Sequence, residues 1–169
     1  MRLVKVTPEL FESIQSNWNE QCKKYDEVIE VYAAPSMAHA EKIVNDGANG
    51  QDYSIFAANI EGEHACILHV NRARLPGTSG VTQKVMWVLL SPHYDYEDVG
   101  PDEIARVATA VIYGAIELCK EEGRSDHVKI HIGNIADREF FSGVAFALKE
   151  ARELREVEIR GKWLHMSLA

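Results

Sequence analysis

Apolar residues recur every three to four positions in four stretches of the chain, the spacing of helices that pack one face on a core. In the first stretch, Thr7-Pro8 supplies an N-cap and a first-turn proline, and the apolar stripe continues to Tyr25. Asn45-Asp46-Gly47 ends the second stretch, and Gly123 ends the third. The pattern therefore predicts helices after Pro8, over Ser36 to Asn45, over Pro101 to Glu122 and over Ala136 to Ala151.

Shorter apolar or alternating runs between these helices predict β-strands. Glu61-Gly62-Glu63 and Gly161 are turn sequences, so each predicts a hairpin between its flanking strands. The most apolar run is expected to be central and buried. The predicted strands are Arg2 to Val6, Tyr53 to Ile60, His64 to Arg72, the apolar run Lys84 to Leu90, Val128 to Ile132, Leu154 to Ile159 and Trp163 to Leu168.

This order of elements predicts a single α/β (α+β) domain over residues 1–169, with a mixed, mostly antiparallel sheet of about seven strands flanked by helices. A chain of 169 residues, 46% hydrophobic and 26% charged, has the size and composition of one globular domain. It contains no apolar run long enough to cross a bilayer and no signal-peptide pattern, so we expect a cytoplasmic protein.

The net charge indicates which classes of partner to expect, and the cysteine pattern indicates whether disulfides form. The formal net charge of -8 repels phosphate backbones, so nucleic acid is not an expected partner, and no membrane partner is expected either. Cys22, Cys66 and Cys119 are odd in number and lie outside any CxxC pattern, which predicts buried packing cysteines rather than disulfides.

Three short motifs accompany this order of elements. Leu90-Ser91-Pro92 closes the apolar strand, Gly100 precedes the third helix, and Asn134 follows the next strand, with Phe141 seven residues later. With these motifs, essentially the whole chain resembles the GNAT N-acyltransferase superfamily. The resemblance implies an acyl-CoA-dependent acyltransferase with acetyl-CoA as the cofactor and an amine as the acceptor. The cofactor-binding residues that it implies are Leu89, Leu90, Ser91, Val99, Gly100, Asn134 and Phe141.

The chain departs from the family's motifs at two places. Only Gly100 remains of the glycine-rich phosphate-binding loop, which falls on Asp95 to Gly100. The carboxylates there are expected to repel a diphosphate and to cap the following helix; they belong to Asp95, Glu97, Asp98, Asp102 and Glu103. The second departure is Phe141, which stands where the family often has a tyrosine that protonates the leaving thiolate, and phenylalanine cannot act as an acid.

An N-acyltransferase needs a base that takes a proton from its amine, and His131 and His93 are the candidates nearest the implied site. A structural role is the alternative for each histidine. No metal site is predicted, because the pairs His64/Cys66 and His127/His131 offer only two ligands each. The loop Asp95 to Gly100, called the acidic loop below, does not have the pattern of a calcium-binding loop. Arg106 stands at the position where such a loop requires a bidentate glutamate.

Two functions therefore remain open. One is a divergent acyl-CoA-dependent N-acyltransferase, which the fold resemblance favours. The other is a non-catalytic domain of the same fold that has lost coenzyme A and binds a protein or a small molecule, which the acidic loop and Phe141 favour. The hairpin around Trp163 to Met166 would indicate a homodimer if its aromatic residues were exposed.

Overall fold

The computed structural model describes residues 2–46, 50, 52–121, 125–133 and 135–169. Every predicted element is present, together with one short helix, α3, that was not predicted. The predicted helix end at Glu122 and Gly123 lies outside the described residues. The elements are β1 Leu3–Lys5, α1 Pro8–Lys23, α2 Ala34–Asn45, β2 Tyr53–Ile60, β3 Glu63–Ala73, β4 Thr82–Leu90, α3 Pro92–Tyr96, α4 Pro101–Glu121, β5 His127–His131, α5 Ile135–Leu148, β6 Leu154–Arg160 and β7 Trp163–Leu168.

The seven strands form one sheet in the order β1-β2-β3-β4-β5-β7-β6. Only β4 and β5 run parallel, and all other neighbouring strands are antiparallel. The predicted mixed, mostly antiparallel sheet is thus confirmed, with β4 at its centre. The first helix begins as expected, because the Thr7 side chain accepts a hydrogen bond from the Leu10 N–H at 3.2 Å.

Helices cover the two faces of this sheet, and two apolar clusters hold them there. Helices α1 and α2 pack on one face through a cluster that contains Phe11, Ile14 and Trp18. Helices α4 and α5 pack on the other face through a larger cluster. The three cysteines are free and buried within these clusters, as predicted. In the described part of the chain, no helix is long and apolar enough to span a membrane.

Strand β4 carries a β-bulge at Met86. His69 of β3 lies opposite Trp87, whereas the next residue of β3 lies opposite Val85, so Met86 is an additional residue in β4. A bulge reverses the faces to which the following side chains point. Val85 accordingly belongs to the α4/α5 cluster, while Trp87 and Leu89 pack against the α1/α2 cluster.

Gly114 and Gly143 provide a matched test of helix packing. A Cβ atom on Gly114 of α4 would lie 2.5 Å from the Leu3 Cγ atom, whereas a Cβ atom on Gly143 of α5 meets nothing within 4 Å. We expect Gly114→Ala to lower the free energy of unfolding by about 1–3 kcal/mol through overpacking. Gly143→Ala should raise it by about 0.5–1 kcal/mol, because alanine favours a helix. Urea denaturation of both variants measures the difference, and equal effects would contradict the α4–β1 packing.

Candidate functional site

Strands β4 and β5 separate at the bulge and leave a cleft in the sheet. Their pairing ends at Val85 and Ile130, although β4 continues to Leu90. The cleft contains a cavity of about 310 Å³, which lies under α4 and α5. Its lining is almost entirely apolar and consists of Trp87, Val88, Leu90, Ile104, Val107, Ala108, Val111, Ile112, Ile130, His131, Gly133 and Phe141. The prediction that β4 is buried therefore holds for Val85 but is wrong for Val88, which is 36% exposed.

Backbone groups of β4 line this cleft beyond the bulge. The Ser91 N–H donates to the Ala65 carbonyl at 2.8 Å, so Ser91 is bonded to β3. In an antiparallel pair, alternate residues direct both backbone groups towards the same neighbour. Leu89 and Trp87 are then also bonded to β3, while Val88 and Leu90 direct their N–H groups into the cleft. The cleft thus offers two backbone donors beside an apolar cavity.

Tyr32 fixes the end of β4 at this cleft. Its hydroxyl donates a hydrogen bond of 2.7 Å to the Leu90 carbonyl, and its ring lies 5.6 Å from the ring of Tyr96, centroid to centroid. Burial, followed by the charge of Asp95, raises the pKa of the Tyr32 hydroxyl. The hydroxyl therefore stays protonated at neutral pH and remains a donor to β4.

The structure separates the two histidines that the sequence proposed as a base. His131 lies at the end of β5 and lines the cavity, with its ring 5.0 Å from that of Trp163. It is the single titratable side chain among the described residues of the lining. His93 lies in α3 on the side of α1, where it faces Glu97 at 3.6 Å and a polar hollow of about 400 Å³. Only His131 therefore adjoins the cleft.

The acidic loop leaves backbone donors uncovered at the start of α4. Within the described residues, the N–H groups of Asp98, Gly100 and Asp102 donate to no hydrogen-bond acceptor. The space beside Gly100 is also open, because a Cβ atom there would meet nothing within 4 Å. Asp102 and Glu103 lie in the first turn of α4, as the predicted capping requires, but no carboxylate of the described loop accepts a hydrogen bond from these N–H groups. Glu97 instead accepts a hydrogen bond of 2.7 Å from the Tyr25 hydroxyl on the α1 side. This terminus keeps the donors that bind anions, with the carboxylates of Asp98 and Asp102 beside them.

The remaining predicted cofactor residues take different positions. Phe141 lines the cavity from α5, as Leu90 does from β4. Leu89 packs towards α1 and α2, and Ser91 is 1% exposed. Val99 and Gly100 precede α4, whereas Asn134 lies outside the described residues. The assignment of these residues to a cofactor stays a prediction.

The C-terminal hairpin does not present the exposed aromatic surface that would have indicated a homodimer. Leu164, His165 and Met166 are buried, and Trp163 is half-buried beside His131. The homodimer stays a prediction without support from these residues.

A cluster of aromatic and imidazole rings lies on the α1/α2 face next to the bulge. The ring of His69 stands 5.7 Å from Trp87, 5.2 Å from His39 and 5.9 Å from Tyr53, centroid to centroid. His69 is 6% exposed, and its Nε2 atom has no hydrogen-bond partner in the described structure. Burial, followed by repulsion from His39, lowers the pKa of His69 to about 4. At neutral pH His69 is therefore uncharged.

Sequence reasoning missed Tyr32, His69 and Trp87. Tyr32 lies between α1 and α2, where no apolar period marks it. Trp87 belongs to a run of apolar residues that hides the bulge, because every residue from Val85 to Leu90 fits a buried strand. For His69 the available signal was a histidine within an apolar strand, which usually denotes a buried imidazole.

Solved structures with a similar fold exist, although the sequence matches no protein-family model and no curated protein. One is described as a probable acetyltransferase, with 12% identity over 95% of this chain and 99% of its own, at a TM-score of 0.53. Another is a probable acetyltransferase from Staphylococcus epidermidis, with 14% identity over 99% of this chain and 96% of its own, also at 0.53. At these identities the likeness shows a shared fold.

Proposed function

We propose that this chain, which has the GNAT acyltransferase fold indicated by its sequence, is an N-acyltransferase that moves an acetyl group from acetyl-CoA to an amine. The observation that carries the proposal is the apolar cavity between the separated strands β4 and β5. It combines the two backbone donors of Val88 and Leu90 with the imidazole of His131. Such a site is concave, mostly apolar and equipped with a few converging polar groups, as small-molecule sites usually are.

The residues present fit the two ends of acetyl-CoA differently. The apolar lining suits the pantetheine arm, and the N–H groups of Val88 and Leu90 suit the amide and thioester carbonyls. The N–H groups of Asp98, Gly100 and Asp102 at the start of α4 suit the pyrophosphate, although two of these residues carry carboxylates. When bound, acetyl-CoA supplies the activated thioester.

His131 is the proposed base that takes a proton from the acceptor amine. A base must lie within hydrogen-bond reach of that proton, and His131 is the side chain of the described lining that can accept one. Phe141 lines the same cavity and offers no proton. Solvent would therefore supply the proton to the CoA thiolate that leaves when the acetyl group moves to the amine. The side chain of His93 in α3 faces α1 and not the cavity, so this proposal gives it no role.

Calorimetric titration with acetyl-CoA, CoA and pantetheine tests the proposal. We expect micromolar binding of acetyl-CoA. Asp98→Asn should tighten CoA binding about fivefold, since one charge pair at about 4 Å contributes about 1 kcal/mol in water. Pantetheine lacks the pyrophosphate, so its affinity should not change, and Asp46→Asn at the end of α2 serves as a control for net charge.

The same titration addresses the alternative, a non-catalytic binding domain, which the carboxylates of the acidic loop favour. An unmodified protein that gives no heat with acetyl-CoA, beside an Asp98→Asn variant that binds it, would assign the loss of the cofactor to the loop. The unmodified protein would then be a binding module and not an acyltransferase.

A further inference from the structure

The sheet face formed by β5, β7 and β6 opposite α4 and α5 is polar. Val128, Leu164 and Val157 of these strands belong to the α4/α5 cluster. Because side chains alternate along a strand, their neighbours Lys129, His165 and Glu158 lie on the opposite face. Helices α1 and α2 pack on β2, β3 and β4 through their cluster. By the same alternation His131 lies at the edge of this face, where it borders the cleft, whereas Glu156, Glu158 and His165 are not among the residues that line the cavity.

His165 is a buried imidazole on this polar face. It is 2% exposed, and neither of its ring nitrogens has a partner within the described ranges. The nearest carboxylate atom, Glu158 Oε1, lies 3.6 Å from Nδ1, beyond a normal hydrogen bond. A buried polar group without a partner loses its bonds to water and gains none in return, which destabilises the folded protein. His165 thus lacks the partner that its burial requires.

Two glutamates complete a set of three possible metal ligands around this ring. One ligand atom from each of Glu156, Glu158 and His165 lies within 4.8 Å of the others. Two ligands of a tetrahedral ion with bonds of 2.0–2.2 Å stand about 3.4 Å apart. The 3.6 Å between Nδ1 of His165 and Oε1 of Glu158 is too long for a hydrogen bond but agrees with two ligands of one ion.

We propose that Glu156, Glu158 and His165 form a site for a divalent transition-metal ion of the zinc class. The ligand set of one imidazole and two carboxylates suits Zn²⁺ and leaves a fourth position for water. Both ring nitrogens of His165 lack a hydrogen-bond partner within the described residues, so a ring nitrogen is available as the ligand atom.

The Arg160 side chain pairs with the two glutamates of the proposed site in place of a metal ion. Its guanidinium forms ion pairs with Glu158 and, at 3.6 Å, with Glu156. The Arg160 side chain is 56% exposed, so it can turn into solvent when an ion takes its place. Lys129 lies opposite His165 in the neighbouring strand and adds a second positive charge. The site is therefore expected to bind more tightly once Arg160 is removed.

Titration with Zn²⁺ against a chromophoric chelator tests the proposal, and Co²⁺ reports the ligands through its visible spectrum. We expect one ion per chain, together with a rise in Tm on adding Zn²⁺. His165→Ala and Glu156→Gln should each weaken binding by about tenfold or more. Arg160→Ala should tighten it, and His39→Ala, at an exposed histidine of α2, should leave it unchanged.

Glu156 is exposed, so Glu156→Gln keeps the test valid if the His165 variant fails to fold. The absence of stoichiometric binding would overturn the proposal. It would also fail if Zn²⁺ bound His165→Ala or Glu156→Gln as tightly as the unmodified protein, or if His39→Ala lost the ion. None of these outcomes bears on acetyl-CoA, whose proposed site is the cleft between β4 and β5.

Discussion

Replacing Ala108 by phenylalanine is expected to abolish the binding of acetyl-CoA while the protein stays folded. Ala108 lies on the side of α4 that lines the cavity between β4 and β5. A phenyl ring there would project into the volume of about 310 Å³ that the pantetheine arm is proposed to occupy. We expect affinity to fall at least about a hundredfold, equivalent to about 2.7 kcal/mol. Because the ring enters existing space, we expect the free energy of unfolding to fall by no more than about 3 kcal/mol.

Thr109→Phe provides the matched control for this substitution. Thr109 is the next residue of α4 and is exposed. The control adds a ring of the same size to the same helix, outside the lining of that cavity. Calorimetry with acetyl-CoA and urea denaturation of both variants separate blocking from unfolding. Unchanged affinity in the Ala108 variant would show that coenzyme A, if bound, lies elsewhere.

Acidification from pH 6.5 to pH 4 is expected to remove about 3 kcal/mol of stability through His69 alone. The pKa of His69 is about 4 in the folded protein and 6.5 when it is unperturbed. Between these values the unfolded chain binds a proton at His69 that the folded chain does not bind. Each pH unit in this window therefore lowers the free energy of unfolding by about 1.4 kcal/mol. Above pH 6.5 both states are neutral at His69, and its contribution no longer changes with pH.

Urea denaturation between pH 4 and pH 7 measures the free energy of unfolding of the unmodified protein and of a variant whose ring at position 69 does not titrate. His69→Phe should show a shallower fall in stability with acidification than the unmodified protein. Burial also lowers the pKa values of His64 and His165, so the variant retains part of the slope. His39→Phe, at the exposed partner of His69, should keep most of the slope. Identical slopes for His69→Phe and the unmodified protein would contradict the buried, neutral His69.

The two proposals use different residues of one sheet. The cleft offers backbone donors and apolar contacts, which suit a neutral pantetheine arm, whereas the polar face offers carboxylates and an imidazole, which suit a cation. His131 adjoins the cleft through β5, and His165 lies on β7, the neighbouring strand. The two sites can therefore be tested with separate variants.

The sequence by itself determined the elements and, through their order, the fold. The stripe from Leu10 to Cys22 and the hairpin at Gly62 are local patterns, because a helix or turn depends on residues that are neighbours along the chain. The order of elements with Leu90-Ser91-Pro92 was sufficient to indicate the fold. His131 and Phe141 were also named from the sequence and do line the cavity.

Only the tertiary structure decided where the cleft opens and what surrounds it. The bulge at Met86 depends on the register against β3, and residues opposite each other in a sheet can be far apart along the chain. Tyr32 reaches the Leu90 carbonyl across 58 positions, and Glu158 meets His165 only because β6 and β7 pair. Glu97 likewise accepts from Tyr25, which is distant along the chain, and so no described acceptor covers the N–H group of Gly100. Periodicity carries no information on such contacts, since they form when the chain folds back on itself.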